Sequence, residues 1–228
     1  MLLQRIINKL LRIYKSIVFD IGGLYLNLIH KKGLVTDNEG KTYETIIIEK
    51  QEWMAENLAV SKFANDDIIP FINNTAAWQE AGKNGQPAWC YYKDNPESEK
   101  TFGKLYNWYA ASDARGLAPE GWQVPQDNDW IKMISFLGGE EKAGHKLKSR
   151  KGWKNGGNGS DKSGFNALPG GYRDPDGPFG NGGFGRWWSS SEASSIKAWR
   201  YRLGFDCENI NRFDGPKGYG FSIRCIKK

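Results

Sequence analysis

Histidine is nearly missing from this chain: His30 and His145 are the only two in 228 residues. A hydrolase triad or a histidine-rich metal centre has almost nothing to be built from, and no zinc-ligand spacing of Cys and His occurs. Cysteine is scarce as well. Cys90, Cys207 and Cys225 are an odd number, which excludes a closed disulfide framework and leaves side-chain packing as the main source of stability. Long apolar runs are lacking near the start, where Ile17-Val18-Phe19 falls far short of the roughly 18 to 20 residues that span a bilayer. Charges recur through that region, no Ala-x-Ala-like cleavage site follows it, and no lipid-anchor cysteine lies near it. A clean secretory signal is therefore not expected.

What is abundant is aromatic side chain, at 14% of the residues. With 39% hydrophobic residues in all, the chain can bury one substantial core. The net charge of +6 invites a nucleic-acid reading, but its distribution opposes one. Arg5, Lys9, Arg12, Lys15, Lys31 and Lys32 against Asp20 alone give +5 over residues 1–33, which leaves +1 for residues 34–228. The larger part has no bulk electrostatic reason to seek phosphate backbones.

Residues 1–18 place Leu2, Leu3, Ile6, Ile7, Leu10, Leu11, Tyr14, Ile17 and Val18 at steps of three and four, with basic residues between them. That spacing predicts a basic amphipathic helix. Three settings suit it: a membrane surface, self-association or a partner helix, and packing on its own domain. Gly22-Gly23 and Lys31-Lys32-Gly33 predict a joint near residues 20–34, dividing an extension (1–33) from a domain (34–228).

In the domain, Thr36-Asp37-Asn38-Glu39-Gly40-Lys41 reads as a turn, and Thr42 to Ile48 as a strand that forms a hairpin onto Gln51 to Ala55. Between Asn57 and Phe102 periodicity is weak, so mostly loop is expected, with a short strand at Ala88 to Tyr92. Leu105, Trp108, Tyr109 and Ser112 fall on one face of a helix of about ten residues. A second helix opens at Pro125-Gln126-Asp127 and stops at Gly138-Gly139; Gln126 is a weak N-cap, while Asp127 and Asp129 suit the helix dipole. His145 to Asp161 reads as a basic surface loop pinned by Trp153, Trp199 to Leu203 as a strand, and Asp206 to Lys217 as a connection. Trp187 and Trp188 supply large buried area, and Tyr219, Phe221, Ile223 and Cys225 alternate along a closing strand.

Five motifs occur in order: Trp53-Met54-Ala55-Glu56-Asn57-Leu58, Tyr106-Asn107-Trp108, Gly121-Trp122-Gln123-Val124-Pro125, Gly164 to Arg173 with Trp187 to Glu192, and Gly218 to Cys225. On these the chain resembles the Fibrobacter succinogenes major paralogous domain family over roughly residues 34–228. The resemblance implies an α+β, C-type-lectin-like fold: two helices packed on short antiparallel sheets with long ordered loops. It implies no general activity. Family members often carry a cysteine just before the Pro-x-Gly-Trp element, where Ala118 stands here, so Cys225 is expected as a buried thiol. The Pro125 to Trp130 element is also similar to the enzymes that make formylglycine in sulfatases. Those need a reactive cysteine pair close in sequence, whereas Cys207 and Cys225 are separated by a loop and a strand. The Glu-Pro-Asn or Gln-Pro-Asp and Trp-Asn-Asp triplets by which C-type lectins hold calcium and sugar are absent, and Asp174-Pro175-Asp176-Gly177 reads as a turn rather than a calcium loop.

No metal or other cofactor, and no catalytic residue, is therefore expected. The stretch from Phe205 to Asp214 mixes aromatics, an arginine and amides as a binding surface does, and Phe205, Asp206, Glu208, Asn209, Asn211, Arg212, Phe213 and Asp214 are the candidate ligand contacts. In lectin-like variable proteins diversified by retroelements, the same last loop and strand hold the altered positions; that comparison is one of analogy. The expected function is a non-catalytic ligand-binding or adhesion module at the cell surface or envelope, with a protein or glycan ligand. A relative of the formylglycine-generating enzymes and a structural envelope protein are the alternatives.

Sedimentation of the full chain and of a truncation lacking residues 1–33, with and without anionic vesicles, separates the three settings of the extension. A membrane-surface helix predicts salt-sensitive vesicle binding that truncation abolishes without changing the melting temperature. Packing on the domain predicts no vesicle binding and a less stable truncation, and a partner helix predicts that truncation lowers the oligomeric state.

Overall fold

The computed structural model describes residues 33–228 apart from 178 and 181, so the helix expected over residues 1–18 lies outside the described residues, as does almost all of the joint. Within the described span the chain is α+β. Strands β1 (Gly33–Thr36) and β2 (Thr42–Ile48) pair antiparallel across the expected turn, where Asp37 Oδ1 accepts hydrogen bonds from the backbone N–H groups of Glu39 and Lys41. The expected hairpin joins β2 to β3 (Gln51–Met54), with Ile48 opposite Gln51. Then come α1 (Thr75–Lys83), β4 (Trp89–Cys90), the one-turn α2 (Glu99–Phe102), β5 (Leu105–Tyr106), the one-turn α3 (Trp108–Ala111) and β6 (Trp122–Gln123). Helices α4 (Asp127–Phe136) and α5 (Glu140–Leu147) precede β7 (Phe184–Glu192), β8 (Lys197–Gly204), β9 (Ile210–Pro216) and β10 (Ile226–Lys227). They assemble three sheets, ordered β1-β2-β3-β10-β6, β4-β5 and β7-β8-β9.

The C-terminal segment before β10 joins these sheets. Phe221 exchanges backbone hydrogen bonds with Tyr106 of β5, Ser222 with Arg186 and Trp188 of β7, and the carbonyls of Ile223 and Cys225 accept from Leu58 and Met54. Alternation holds along it: Phe221, Ile223 and Cys225 enter one core, and Arg224 and Ile226 turn to the opposite side. Burial pushes the Cys225 thiol well above its usual range, as expected of a small buried hydrophobe.

Adjacent residues of β7 serve the two cores. Trp187 and Trp188 are both 0% exposed, and successive side chains of a strand point to opposite faces. Trp188 packs 4.4 Å from Phe221, between ring centroids, in the core that also holds Tyr43, Tyr106 and Ile223. Trp187 lies with Trp53, Trp130, Phe165 and Tyr201, where Trp130 stacks on Tyr201 at 4.7 Å.

Arg224 is fully buried between these layers. Its Nε and Nη2 donate to Asn57 Oδ1 at 3.1 and 2.8 Å, its Nη1 donates to the Phe165 carbonyl at 2.5 Å, and its guanidinium lies 4.4 Å from the Phe165 ring centroid. Trp187 Nε1 donates to the same Asn57 oxygen at 2.9 Å, while Asn57 Nδ2 donates to the Phe102 carbonyl at 2.8 Å. One amide therefore ties together the Trp53-to-Leu58, Trp187-Trp188 and Gly218-to-Cys225 motifs.

Four sequence expectations need correction. The helix expected from Leu105 to Ser112 is the strand β5 followed by a single turn, because Asn107 turns its side chain inward to accept from the Ala88 and Ala110 N–H groups and donate to the Gln86 carbonyl. Over so few residues, buried positions three apart fit a strand-then-turn as well as a helix. Helix α1 falls where loop is expected, since only Trp78 and Ala81 of its nine residues are buried; its signal is the N-cap Asn74, whose Oδ1 accepts from the Ala77 N–H. Helix α5 takes His145 out of the expected loop, although Trp153, 5% exposed, does pin the remainder of that loop. The connection expected from Asp206 to Lys217 is largely strand β9, a polar edge strand without the apolar alternation that marks central ones. At α4, the Asp129 carboxylate accepts from the Gln126 backbone N–H at 2.9 Å, the N3 half of a capping box.

Replacing Asn57 with Ala removes an acceptor shared by a buried cation and a buried indole. We expect a loss of about 3 to 5 kcal/mol of stability, read from the urea midpoint. Matching midpoints for Asn57→Ala and wild type would show that the amide is dispensable.

Candidate functional site

Sheet β7-β8-β9 has one face against α4 and α5 and a second face that only partly enters a core. Tyr201, Leu203, Ile210 and Trp187 occupy the first. On the second, Trp188 and Ala198 are covered by the C-terminal segment, and beyond them Phe184, Arg186, Arg200, Arg202, Asn211 and Phe213 are exposed or half-buried. The register sets Arg186 opposite Arg202, Arg200 opposite Phe213, and Arg202 opposite Asn211. Three arginines thus share one sheet face as cross-strand or same-strand neighbours, an arrangement that costs stability through like-charge repulsion.

Aromatic rings hold the guanidinium groups in place. Arg186 lies 3.4 Å from the Tyr172 ring centroid, Arg202 4.3 Å from that of Phe184, and Arg200 5.1 Å from that of Phe213. Their acidic neighbours are few. Asp206 approaches Arg202 at 3.5 Å, but neither the Arg186 nor the Arg200 side chain has an ion pair or hydrogen bond among the described residues. Of nine buried side-chain polar atoms without a hydrogen-bond partner among the described residues, three are Arg186 Nε, Arg200 Nε and Arg200 Nη1. Such orphans are uncommon in folded proteins, so their concentration on one face calls for a reason. Burial, and then the neighbouring arginines, pull Arg200 down to about 10. Arg186 is shifted the same way, chiefly by burial. Asp174 is pushed up by burial against the pull of Arg186 and Tyr219.

The eight residues singled out in the sequence divide over this architecture. Asn211 and Phe213, the latter 40% exposed, reach the arginine face through the two-residue period of β9. Arg212 turns to the opposite face, where it stacks 3.3 Å from the Trp199 ring centroid and grips Asp127 of α4, Nε to Oδ1 at 2.8 Å and Nη2 to Oδ2 at 2.7 Å. Its guanidinium fork is already used by the fold. Asp214 pairs with Lys197 at 3.2 Å, and Asp206 with Arg202. Glu208 lies 3.5 Å from His145 Nδ1. Phe205 is half-buried 5.7 Å from Phe184, and Asn209 is half-buried. The turn that carries Glu208 and Asn209 rests on α5 at Gly144, where any Cβ would run into their backbone. Arg186, Arg200 and Arg202 are the residues that sequence reading missed. The alternation Arg200-Tyr201-Arg202 was the available signal, but only strand register brings Arg186 to it.

Other chemistry is dispersed. Among the described residues no group of three or more His, Cys, Asp or Glu is placed to hold a metal ion. Asp174 to Gly177 forms a plain turn, closed by the Gly177 N–H on the Asp174 carbonyl. Among the described residues, no helix is long and apolar enough to cross a membrane.

Among known families, the Fibrobacter succinogenes major domain matches residues 46–227 of this chain. No curated protein and no solved structure matches it.

Replacing Arg200 with Met keeps an unbranched apolar chain opposite Phe213 and removes one of three clustered charges. The variant should be more stable than wild type by about 0.2 to 1 kcal/mol. A lower urea midpoint for Arg200→Met would mean that the guanidinium stabilises the sheet.

Proposed function

This chain belongs to the Fibrobacter succinogenes major domain family, and from that premise we propose a non-catalytic binding module. It is a C-type-lectin-like domain of the cell surface or envelope that presents the open face of β7-β8-β9 to a protein or glycan. The lectin-like reading is supported by the closing of one sheet with strands from both ends of the domain, β3 beside β10, and by the long ordered loops. The observation that carries the binding reading is the arginine face itself: three cations of which only Arg202 has a carboxylate within 4 Å among the described residues, held by aromatic rings on a sheet whose reverse side is locked into a core. Rigid aromatic and arginine anchors are what recognition surfaces use for affinity.

The formylglycine-generating alternative is disfavoured by the state of its thiols. Burial pushes Cys90 up to about 12 and Cys225 further, and Cys207 is also raised, first by burial and then by Asp206. None is poised as a nucleophile. A structural envelope protein without a discrete ligand would have no need of unpaired cations on a rigid face.

The test is a glycan array and a panel of envelope proteins probed with wild type and Phe213→Ala. The reading expects a ligand retained by wild type and weakened about tenfold or more in the variant. Indistinguishable wild type and variant on every surface would hand the protein to the structural alternative.

A further inference from the structure

We propose that the face built from Arg186, Arg200, Arg202, Phe213 and Tyr219 binds an acidic glycan whose sugar rings carry carboxylates. The proposal rests on the binding-module reading and names its ligand class. Guanidinium groups are strong charged donors to a carboxylate; Arg186 can offer its two terminal nitrogens as a fork, and Arg200 offers Nη2 beside it, its Nε and Nη1 being closed off by burial. Arg186 and Arg200 are half-buried and have no carboxylate partner within 4 Å among the described residues, so a ligand oxyanion would meet cations that are already partly desolvated. Their partial burial also makes a charge-assisted contact stronger than it would be in open water.

The charge pattern selects an anion, and the rings select a sugar. Phe213 stands directly across from Arg200 in the strand register and is 40% exposed. Tyr219 stacks on Phe221 at 5.1 Å, and is half-buried at the margin of the same face. A sugar acid offers an apolar C–H ring face and a carboxylate at its edge in one rigid unit, which suits an aromatic plane set beside a guanidinium. An acidic peptide carries its carboxylates on flexible stems without a ring face. Asp174 and Asp206 border the patch and would repel a second anionic unit placed over them, so the arginine-lined part is where the carboxylate is received.

The experiment uses the full chain and titrates tetragalacturonate, its fully methyl-esterified form, and a tetraglutamate peptide. Wild type should bind tetragalacturonate in a salt-sensitive manner, and the ester about tenfold more weakly, because it keeps the rings and loses the charge. Arg186→Gln and Arg200→Gln should each weaken the acid about tenfold, and Phe213→Ala should weaken it too. Lys83→Gln, the same charge change at an exposed position of α1, should leave binding unchanged. Melting curves establish that each variant is folded; if Arg200→Gln is not, Arg202→Gln removes the neighbouring charge of the same face and should likewise bind more weakly than wild type.

Equal binding of acid and ester would overturn the acidic-glycan assignment and leave the binding module standing. Tetraglutamate binding as tightly as the sugar acid, with the same dependence on Arg200, would overturn it in favour of an acidic protein partner. An equal loss in Lys83→Gln would reduce it to diffuse charge. No binding of tetragalacturonate by wild type would also overturn it, and the array with Phe213→Ala decides separately whether the module reading survives.

Discussion

A buried arginine without a carboxylate is the constraint around which this domain is arranged. Arg224 has no ion pair among the described residues, and burial pulls it down to about 9. The groups that hold the guanidinium are neutral: the Asn57 amide oxygen, the carbonyls of Phe165 and Met54, and the face of the Phe165 ring. A desolvated cation is tolerated only where such dipoles are already oriented toward it. They come from separate parts of the chain, so all of those parts must be in place together. The Phe102 carbonyl extends the same network, because it fixes which way the Asn57 amide faces.

The same constraint sets the division of labour along β7 and the C-terminal segment. Each of these runs is buried on both sides and serves two cores by alternation, with Trp187 and Trp188 as the clearest pair. A one-residue slip would exchange their occupants, pushing Arg224 in among Tyr43 and Tyr106 and leaving Asn57 without its donors. The indole N–H groups guard the same register from opposite directions: Trp187 on Asn57 and Trp188 on the Tyr106 carbonyl. Short strands and long loops suffice here because polar contacts, rather than long hydrogen-bond ladders, set the alignment.

This explains which features were legible in the sequence. The family motifs could be read because their residues meet in the structure: Asn57 of the first, Trp187 of another and Arg224 of the last share one oxygen. The hairpin from β2 to β3 and the strand around Tyr201 were legible because their apolar positions face a core. Helix α1 and strand β9 were not, since each buries too few positions for a period to emerge. The arginine face was harder still. Its three arginines come from two strands, and Arg186 meets Arg202 only through antiparallel pairing across a bulge-bearing hairpin. Arg212 shows the converse. Its residue type suggested an exposed contact, yet an aspartate 85 positions earlier occupies its fork.

The two arginine sets therefore answer to different demands. Arg224 is satisfied by contacts that the fold requires, and Arg212 by a carboxylate that fastens β9 to the start of α4. Arg186 and Arg200 receive no such compensation: they face one another's charge, keep orphaned N–H groups, and stack on rings that would pack as well against uncharged chains. Local conflict of this kind is uncommon in sequences that are otherwise consistent with their folds, and where it occurs a requirement other than stability commonly accounts for it. The contrast locates that requirement on one sheet face. Here the side chains that the fold does not need are also those whose positive charge an oxyanion at the open edge of the face would offset.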